Sequence, residues 1–206
     1  MKSLMSAVVV TALSFVMACT TETGGGSSAR GDEDPGLPRQ EAVTPPSASP
    51  SEPGAPSQAE YLLPSWMRED VQPKSARFSQ THGLDSYRGK TVVVILLEGF
   101  CPFCRSNSVV AQALQDELDA EKLDVQIVVL GDAAASEFAS RVSLPIFRDA
   151  DGRAWEEMRK GASKHDTFVF GPNGLRTHFL HGTYQGEPAR WRTEIGAEVR
   201  KVARKL

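Results

Sequence analysis

The chain has 206 residues, an ordinary composition and a formal net charge of −3 at pH 7. No basic stripe with interleaved aromatic residues is found, so we expect no nucleic-acid partner. The charge is uneven: residues 20–60 hold two basic and seven acidic side chains, whereas residues 61–206 hold 20 basic and 19 acidic ones.

The N-terminal segment has the features of a signal peptide. A basic residue at Lys2 precedes a short apolar run, 8–17, that is too short to cross a bilayer. The run ends in Val16-Met17-Ala18-Cys19, which resembles the bacterial lipobox and implies cleavage before Cys19 and a lipid on its thiol. A plain signal peptide, or a short uncleaved anchor with an incidental Cys19, is the alternative. The lipid would also explain the odd cysteine count.

The next segment is a linker. Pro, Gly and Ser make up 19 of the 41 residues in 20–60, with no aromatic residue. Such a segment buries too little apolar surface to fold, so we expect a disordered tether. The predicted organisation is a signal peptide at 1–18, the lipidated Cys19 with the linker at 19–60, and a monomeric folded domain at 61–206. The lipid on Cys19 would anchor the domain at the periplasmic face of a bacterial membrane, expected to be the outer membrane.

The folded domain begins with a predicted βαβ unit. Residues 91–97 (TVVVILL) form a continuous β-branched run that predicts a strand buried on both faces. Val110, Leu114 and Leu118 recur every four residues and predict a helix. A second buried strand follows at 125–130, and this order predicts parallel strands.

The rest of the domain alternates short elements. We predict a short helix at 133–142, an extended piece at 144–147, a turn at 149–152 and a helix at 154–160. Residues 167–170 and 175–180 flank the turn GPNG and predict a β-hairpin. The last predicted element is a helix with apolar residues at Trp191, Ile195, Val199, Val202 and Leu206. A central mixed sheet built from a βαβ unit, a hairpin and a C-terminal helix is an α/β arrangement that resembles the thioredoxin-like fold.

The motif Cys101-Pro102-Phe103-Cys104 lies between the first strand and the first helix. The free N–H groups and dipole of a helix N-terminus favour a thiolate at Cys101. Pro102 suits the first helical turn, and Arg105 adds a positive charge nearby unless it is merely solvated. Cys104, one turn further on, should be less exposed. This asymmetry predicts that Cys101 attacks a substrate disulfide and that Cys104 resolves the mixed disulfide.

Two other roles for the pair remain open. A structural disulfide across two residues would restrain little of the unfolded chain. A metal site needs further ligands, and the histidines are His82, His165, His178 and His181. His178 and His181 should face opposite sides of a strand, and His82 lies in a turn-like stretch. His165 precedes the strand 167–170 and could ligate copper or zinc, act in proton transfer, or be an exposed loop residue.

Three more positions are candidates for supporting roles. Glu98 could relay a proton to Cys104 or be a solvated carboxylate. Phe100 and Phe103 could form a docking surface for a protein substrate, or simply cover the site.

The motifs LPSWMRED at 63–70, TVVVILLEGFCPFC at 91–104 and LPIFRDADGRAWEEMRKGASKHDTFVFGPNG at 144–174 resemble, in this order, the N-terminal domain of selenoprotein P. The resemblance covers most of residues 61–185. In that family the first motif position is selenocysteine, so Cys101 would be its sulfur counterpart. The resemblance implies redox or peroxide-linked chemistry.

The chain differs from ordinary thioredoxins at several positions. Pro102-Phe103 replaces Gly-Pro, and Ile95 stands where thioredoxins bury an acidic residue. Thioredoxins place a cis-proline just before the strand that corresponds to 167–170, where this chain has His165-Asp166, and Pro145 is about 20 residues too early. We therefore count Asp166 with His165 among the possible supporting residues.

The resulting hypothesis is a thiol–disulfide oxidoreductase acting on protein or small-molecule thiols and disulfides, with no cofactor and no metal. The first alternative is a thiol peroxidase in which Cys101 attacks peroxide and Cys104 resolves the sulfenic acid, although the usual threonine and arginine surroundings are absent. The second is a copper chaperone that uses Cys101, Cys104 and His165.

Overall fold

The computed structural model describes residues 62–182 and 187–204. The predicted signal peptide, Cys19 with its predicted lipid, the predicted linker and Leu206 lie outside these ranges. Among the helices within them, none combines the length and apolar character that a membrane span requires.

The described residues form seven strands and three α-helices. The strands are β1 (Arg68–Asp70), β2 (Thr81–His82), β3 (Thr91–Leu97), β4 (Val125–Gly131), β5 (Ile146–Arg148), β6 (Thr167–Phe170) and β7 (Arg176–Leu180). The α-helices are α1 (Pro102–Ala120), α2 (Arg153–Met158) and α3 (Pro188–Val202).

All seven strands form one mixed sheet in the order β2-β1-β5-β4-β3-β6-β7. β3 and β4 pair in parallel, as the βαβ pattern predicts, and β4 also pairs in parallel with β5. β6 pairs antiparallel with both β3 and β7, which confirms the predicted hairpin. Cys101 therefore follows an interior strand of the sheet, β3, which lies between β4 and β6.

β3 is buried along its whole length because apolar layers cover both faces of the sheet. One layer joins Val93, Ile95 and Leu97 to apolar residues of α1 and α3. The other layer packs Val92, Val94 and Leu96 against Ala154 and Met158 of α2 and against Trp66, which precedes β1. The predicted closing helix supplies Trp191, Ile195 and Val199 to the first layer.

α1 and α3 pack closely at one point. A Cβ added to Gly196 of α3 would lie 3.1 Å from Cδ1 of Leu114. The lack of a side chain at Gly196 therefore lets the buried Leu114 contact the backbone of the neighbouring helix.

The structure adds two strands to the predicted elements and corrects three local predictions. β1 and β2, which the apolar pattern does not reveal, extend the sheet beyond β5. His82 lies in β2 and is buried, not in a turn. The helix predicted at 133–142 is reduced to a 3₁₀ turn at Ala135–Phe138. β7 ends at Leu180, so His181 lies beyond the strand on which we placed it.

We expect Leu114→Ala to lower the free energy of unfolding by about 2–5 kcal/mol, because it leaves a cavity between α1 and α3. Val109→Ala is the matched control, because Val109 lies on the same helix and is 47% exposed. This substitution should change the free energy of unfolding by less than about 0.5 kcal/mol. Urea denaturation of the two variants measures the difference. Equal effects would contradict this account of the core.

Candidate active site

Cys101 is the N-cap residue of α1. Its backbone is extended (φ −76°, ψ 119°), Pro102 opens the helix, and the Cys101 sulfur accepts a hydrogen bond from the backbone N–H of Cys104 at 3.4 Å. A hydrogen bond from Cys101 N to the carbonyl of Glu98, 3.1 Å, closes the turn between β3 and the helix. The half-buried sulfur thus lies at the helix N-terminus, as the sequence predicts.

Cys104 lies directly behind Cys101 and is fully buried. Both are free thiols. Burial, followed by the hydrogen bond with Cys101, raises the pKa of Cys104 to about 12. The Cys104 sulfur also accepts the backbone N–H of Glu98 at 3.4 Å. The two thiols are therefore unequal: one reaches the surface, and the other is held protonated in the interior.

His165 faces both sulfurs and is 3% exposed, not an exposed loop residue. Its Nε2 lies 3.4 Å from the sulfur of Cys104 and 4.0 Å from that of Cys101. His165 has a left-handed backbone (φ 68°), and its N–H donates to the carbonyl of Leu96 at 2.7 Å. Burial, and then the charge of Lys164, lower the pKa of His165, which favours a neutral imidazole.

Asp166 does not contact the sulfurs but organises the loop that carries His165. Its fully buried carboxylate accepts from His181 Nδ1 at 2.7 Å, Gly182 N at 3.0 Å, Ser163 N at 3.1 Å and Arg159 Nη2 at 3.2 Å. A buried carboxylate is stable only with such partners. Asp166 is therefore a positioning residue for this loop.

Two residues at the site are absent from the sequence predictions. Asn107 is 4% exposed, and its Nδ2 lies 2.8 Å from Nδ1 of His165. Asn107 follows Cys104 by three residues, so both lie on one face of the helix. This spacing is the feature of the sequence that could have identified Asn107. Lys164 bonds the carboxylate of Glu98 at 2.9 Å, and no local pattern indicates that pair.

The charged residues next to the cysteines point away from the sulfurs. The carboxylate of Glu98 is engaged by Lys164 at the rim, and the backbone N–H of Glu98 is its contact with Cys104. The guanidinium of Arg105 donates to Gly99 O at 2.8 Å and to Glu137 at 3.2 Å. Arg105 therefore braces the turn before α1.

Two exposed aromatic side chains flank Cys101 in the chain. Phe100 is 72% and Phe103 is 53% exposed. They present apolar surface to solvent next to Cys101 in the chain.

The other histidines lie outside this cluster. His82 hydrogen-bonds Ser86 at 2.9 Å, and its ring packs against Phe147. His178 lies 3.6 Å from Glu194. Within the described ranges, the Cys101 and Cys104 sulfurs and a ring nitrogen of His165 form the one group of three that could hold a metal ion, all within 4.8 Å of one another.

Comparisons with known proteins agree with this architecture. A family model described as Redoxin matches residues 68–164. A secreted Mycobacterium tuberculosis disulfide oxidoreductase homologous to E. coli DsbE aligns with a TM-score of 0.53 and 16% identity over 66% of this chain and 96% of that one. A putative thiol:disulfide interchange protein DsbE from Chlorobium tepidum gives 0.52 and 16% over 68% and 96%.

A SCO1/SenC family lipoprotein from Bacillus anthracis is also similar, with a TM-score of 0.51 and 13% identity over 69% of this chain and 95% of that one. No curated protein sequence matches the chain significantly. At these identities the similarity concerns the fold, which is thioredoxin-like, as the sequence predicts.

We expect the reduced protein to lose stability as the pH rises from about 9 to about 12. The unfolded chain ionises Cys104 near the ordinary thiol value of 9.0, whereas the folded chain does so only at about 12, so rising pH in this window favours the unfolded state. Urea denaturation at several pH values measures the loss. Cys104→Ala is the control and should show a smaller decline; an identical decline would contradict the raised pKa.

Proposed function

We propose that this thioredoxin-like protein is an extracytoplasmic thiol–disulfide oxidoreductase that works through Cys101 and Cys104. The observation that carries the proposal is the unequal pair: a half-buried thiol at the N-terminus of α1, with a fully buried thiol one turn behind it. Sequential disulfide exchange needs one accessible attacking sulfur and one protected resolving sulfur.

In the first step, the thiolate of Cys101 attacks one sulfur of a substrate disulfide. A bond forms between Cys101 and that sulfur, the substrate S–S bond breaks, and the other sulfur leaves with the electron pair and takes a proton from solvent. The helix N-terminus favours the thiolate form at this position.

In the second step, Cys104 gives up its proton and its thiolate attacks the sulfur of Cys101. The Cys101–Cys104 disulfide forms, the mixed disulfide breaks, and the second substrate sulfur leaves with the electron pair and takes up, through solvent, the proton that Cys104 lost. The substrate gains two electrons and the protein loses them; the same steps in reverse oxidise a dithiol. Because burial keeps Cys104 protonated, it does not compete with Cys101 in the first step.

The expected partners are thiols and disulfides of proteins or small molecules. The exposed rings of Phe100 and Phe103 beside Cys101 favour a protein substrate that presents an apolar segment next to its cysteine.

We further propose that the protein is lipid-anchored in the cell envelope through Cys19, with a signal peptide at 1–18, a linker at 19–60 and a monomeric domain at 61–206. The lipobox-like Val16-Met17-Ala18-Cys19 supports this. Two similar structures are described as a secreted protein and as a lipoprotein. The finer family assignment that we propose is similarity to the selenoprotein P N-terminal domain, with Cys101 in place of selenocysteine.

Cys101→Ser should abolish reduction of a disulfide-bonded model substrate, because no other sulfur in the pair is accessible. Cys104→Ser should instead accumulate a covalent complex with the substrate that a reducing agent dissolves, because the resolving thiol is missing. Non-reducing electrophoresis and a turbidity assay of insulin reduction measure the two results. Insulin reduction by the Cys101→Ser variant at the unmodified rate would contradict the proposal.

A second candidate is a metal chaperone with a copper ion as cargo. Two sulfurs and one imidazole nitrogen within 4.8 Å form a donor set that suits Cu(I) or Zn²⁺. Ligation through Nε2 of His165 requires a lone pair on that nitrogen. The peroxidase alternative lacks comparable support, since Arg105, the cation beside the motif, is bound to Gly99 O and Glu137.

If the protein carries copper, the reduced chain should retain one Cu(I) per molecule after gel filtration, and His165→Ala should weaken retention by removing a ligand. His178→Ala is the control, because His178 lies beside Glu194, outside the cluster. Elemental analysis of the eluted protein measures the ratio. Equal retention in the His165 variant and the control would contradict this candidate.

A further inference from the structure

We propose that Asn107 is a positioning residue that fixes the hydrogen of His165 on Nε2, so that the imidazole acts as a neutral hydrogen-bond donor to the sulfur of Cys104. This rests on the proposed function, because it describes how the same pair exchanges electrons. Asn107 is buried on α1, three residues after Cys104, and its Nδ2 lies 2.8 Å from Nδ1 of His165.

The direction of this hydrogen bond determines the tautomer. An amide nitrogen is a donor only, so Nδ1 of His165 must be the acceptor and carry a lone pair. A neutral imidazole has one N–H, which is then on Nε2. A doubly protonated ring would set Nδ1–H against the N–H of Asn107, so the contact also disfavours the charged form.

The Nε2–H group of His165 faces the sulfurs. Nε2 lies 3.4 Å from the sulfur of Cys104, and the backbone N–H of Glu98 donates to the same sulfur at 3.4 Å. Cys104 thus has two donors, one from the loop and one from the end of β3. Two donors directed at one buried sulfur stabilise a thiolate there.

That thiolate forms when the Cys101–Cys104 disulfide is reduced. An external thiolate attacks the sulfur of Cys101 and forms a mixed disulfide, the Cys101–Cys104 bond breaks, and Cys104 leaves with the electron pair. Nε2–H of His165 and N–H of Glu98 meet the charge as it develops, and solvent later supplies the proton. Asn107 would act on this step only through the ring of His165.

The same arrangement works against metal ligation, because Nε2 presents a hydrogen and not a lone pair to the sulfurs. Ligation would need the hydrogen on Nδ1, and thus an acceptor in place of the N–H of Asn107. The tautomer therefore also bears on the choice between the two candidate functions.

The first test is ¹⁵N–¹H correlation of the histidine side chains in the reduced full chain. His165 is assigned by its absence from the spectrum of His165→Phe. We expect an unprotonated Nδ1 and a protonated Nε2 in the unmodified protein, and a protonated Nδ1 in Asn107→Asp, whose carboxylate can only accept. A protonated Nδ1 in the unmodified protein would overturn the proposal without any variant.

The second test is the rate at which dithiothreitol opens the Cys101–Cys104 disulfide, followed by alkylation and gel shift. Asn107→Leu should slow opening by on the order of tenfold, because the hydrogen of His165 is then no longer fixed on Nε2. His165→Phe should slow opening by at least as much. The double variant should be no slower than His165→Phe, because Asn107 acts through that ring.

Additive slowing in the double variant, or no slowing in Asn107→Leu, would overturn the proposal. Both tests are independent of the natural substrate, since dithiothreitol opens the disulfide in any case. Loss of the oxidoreductase function would therefore appear only in the substrate assay, and loss of this inference only in the spectrum and the opening rate.

Discussion

The backbone of residues 165–166 is hydrogen-bonded to the end of β3, and the arrangement around the two sulfurs depends on this attachment. His165 N donates to Leu96 O at 2.7 Å, and Leu96 N donates to Asp166 O at 3.0 Å. The left-handed backbone of His165 (φ 68°) costs roughly 1–3 kcal/mol. The hydrogen bonds that the buried carboxylate of Asp166 accepts from four residues offset that cost and hold the loop in place.

Charge is kept at the rim of the site and neutral donors are kept inside it. The Glu98–Lys164 ion pair and the guanidinium of Arg105 are partly exposed, where solvent weakens their fields. In the interior, the sulfur of Cys104 meets a backbone N–H, an imidazole and the thiol of Cys101. Burial therefore controls the protonation of Cys104, and the local donors act when its charge develops.

Most of the sheet could be predicted from the sequence because its central strands are continuous apolar runs of strand length. β1 and β2 could not, because they are three and two residues long and are strands only by pairing with β5 and with each other. The segment 133–142 has helical spacing, but within it Ala135–Phe138 forms a 3₁₀ turn in the connection between β4 and β5. Local periodicity does not encode such constraints.

The sequence by itself determined the position of Cys101 at a strand-to-helix junction, the place of Pro102 in the first turn and the burial of Cys104 one turn later. These follow from local rules: apolar runs, helix periodicity and helix capping. It offered His165 as a candidate to act with the pair, but left open that His165 is an exposed loop residue. The tertiary structure alone decided that Asn107 meets this ring from α1 and that Lys164 pairs with Glu98. Their partners are 58 and 66 residues away along the chain, so only the packing of α1 and the sheet in the folded protein brings them together.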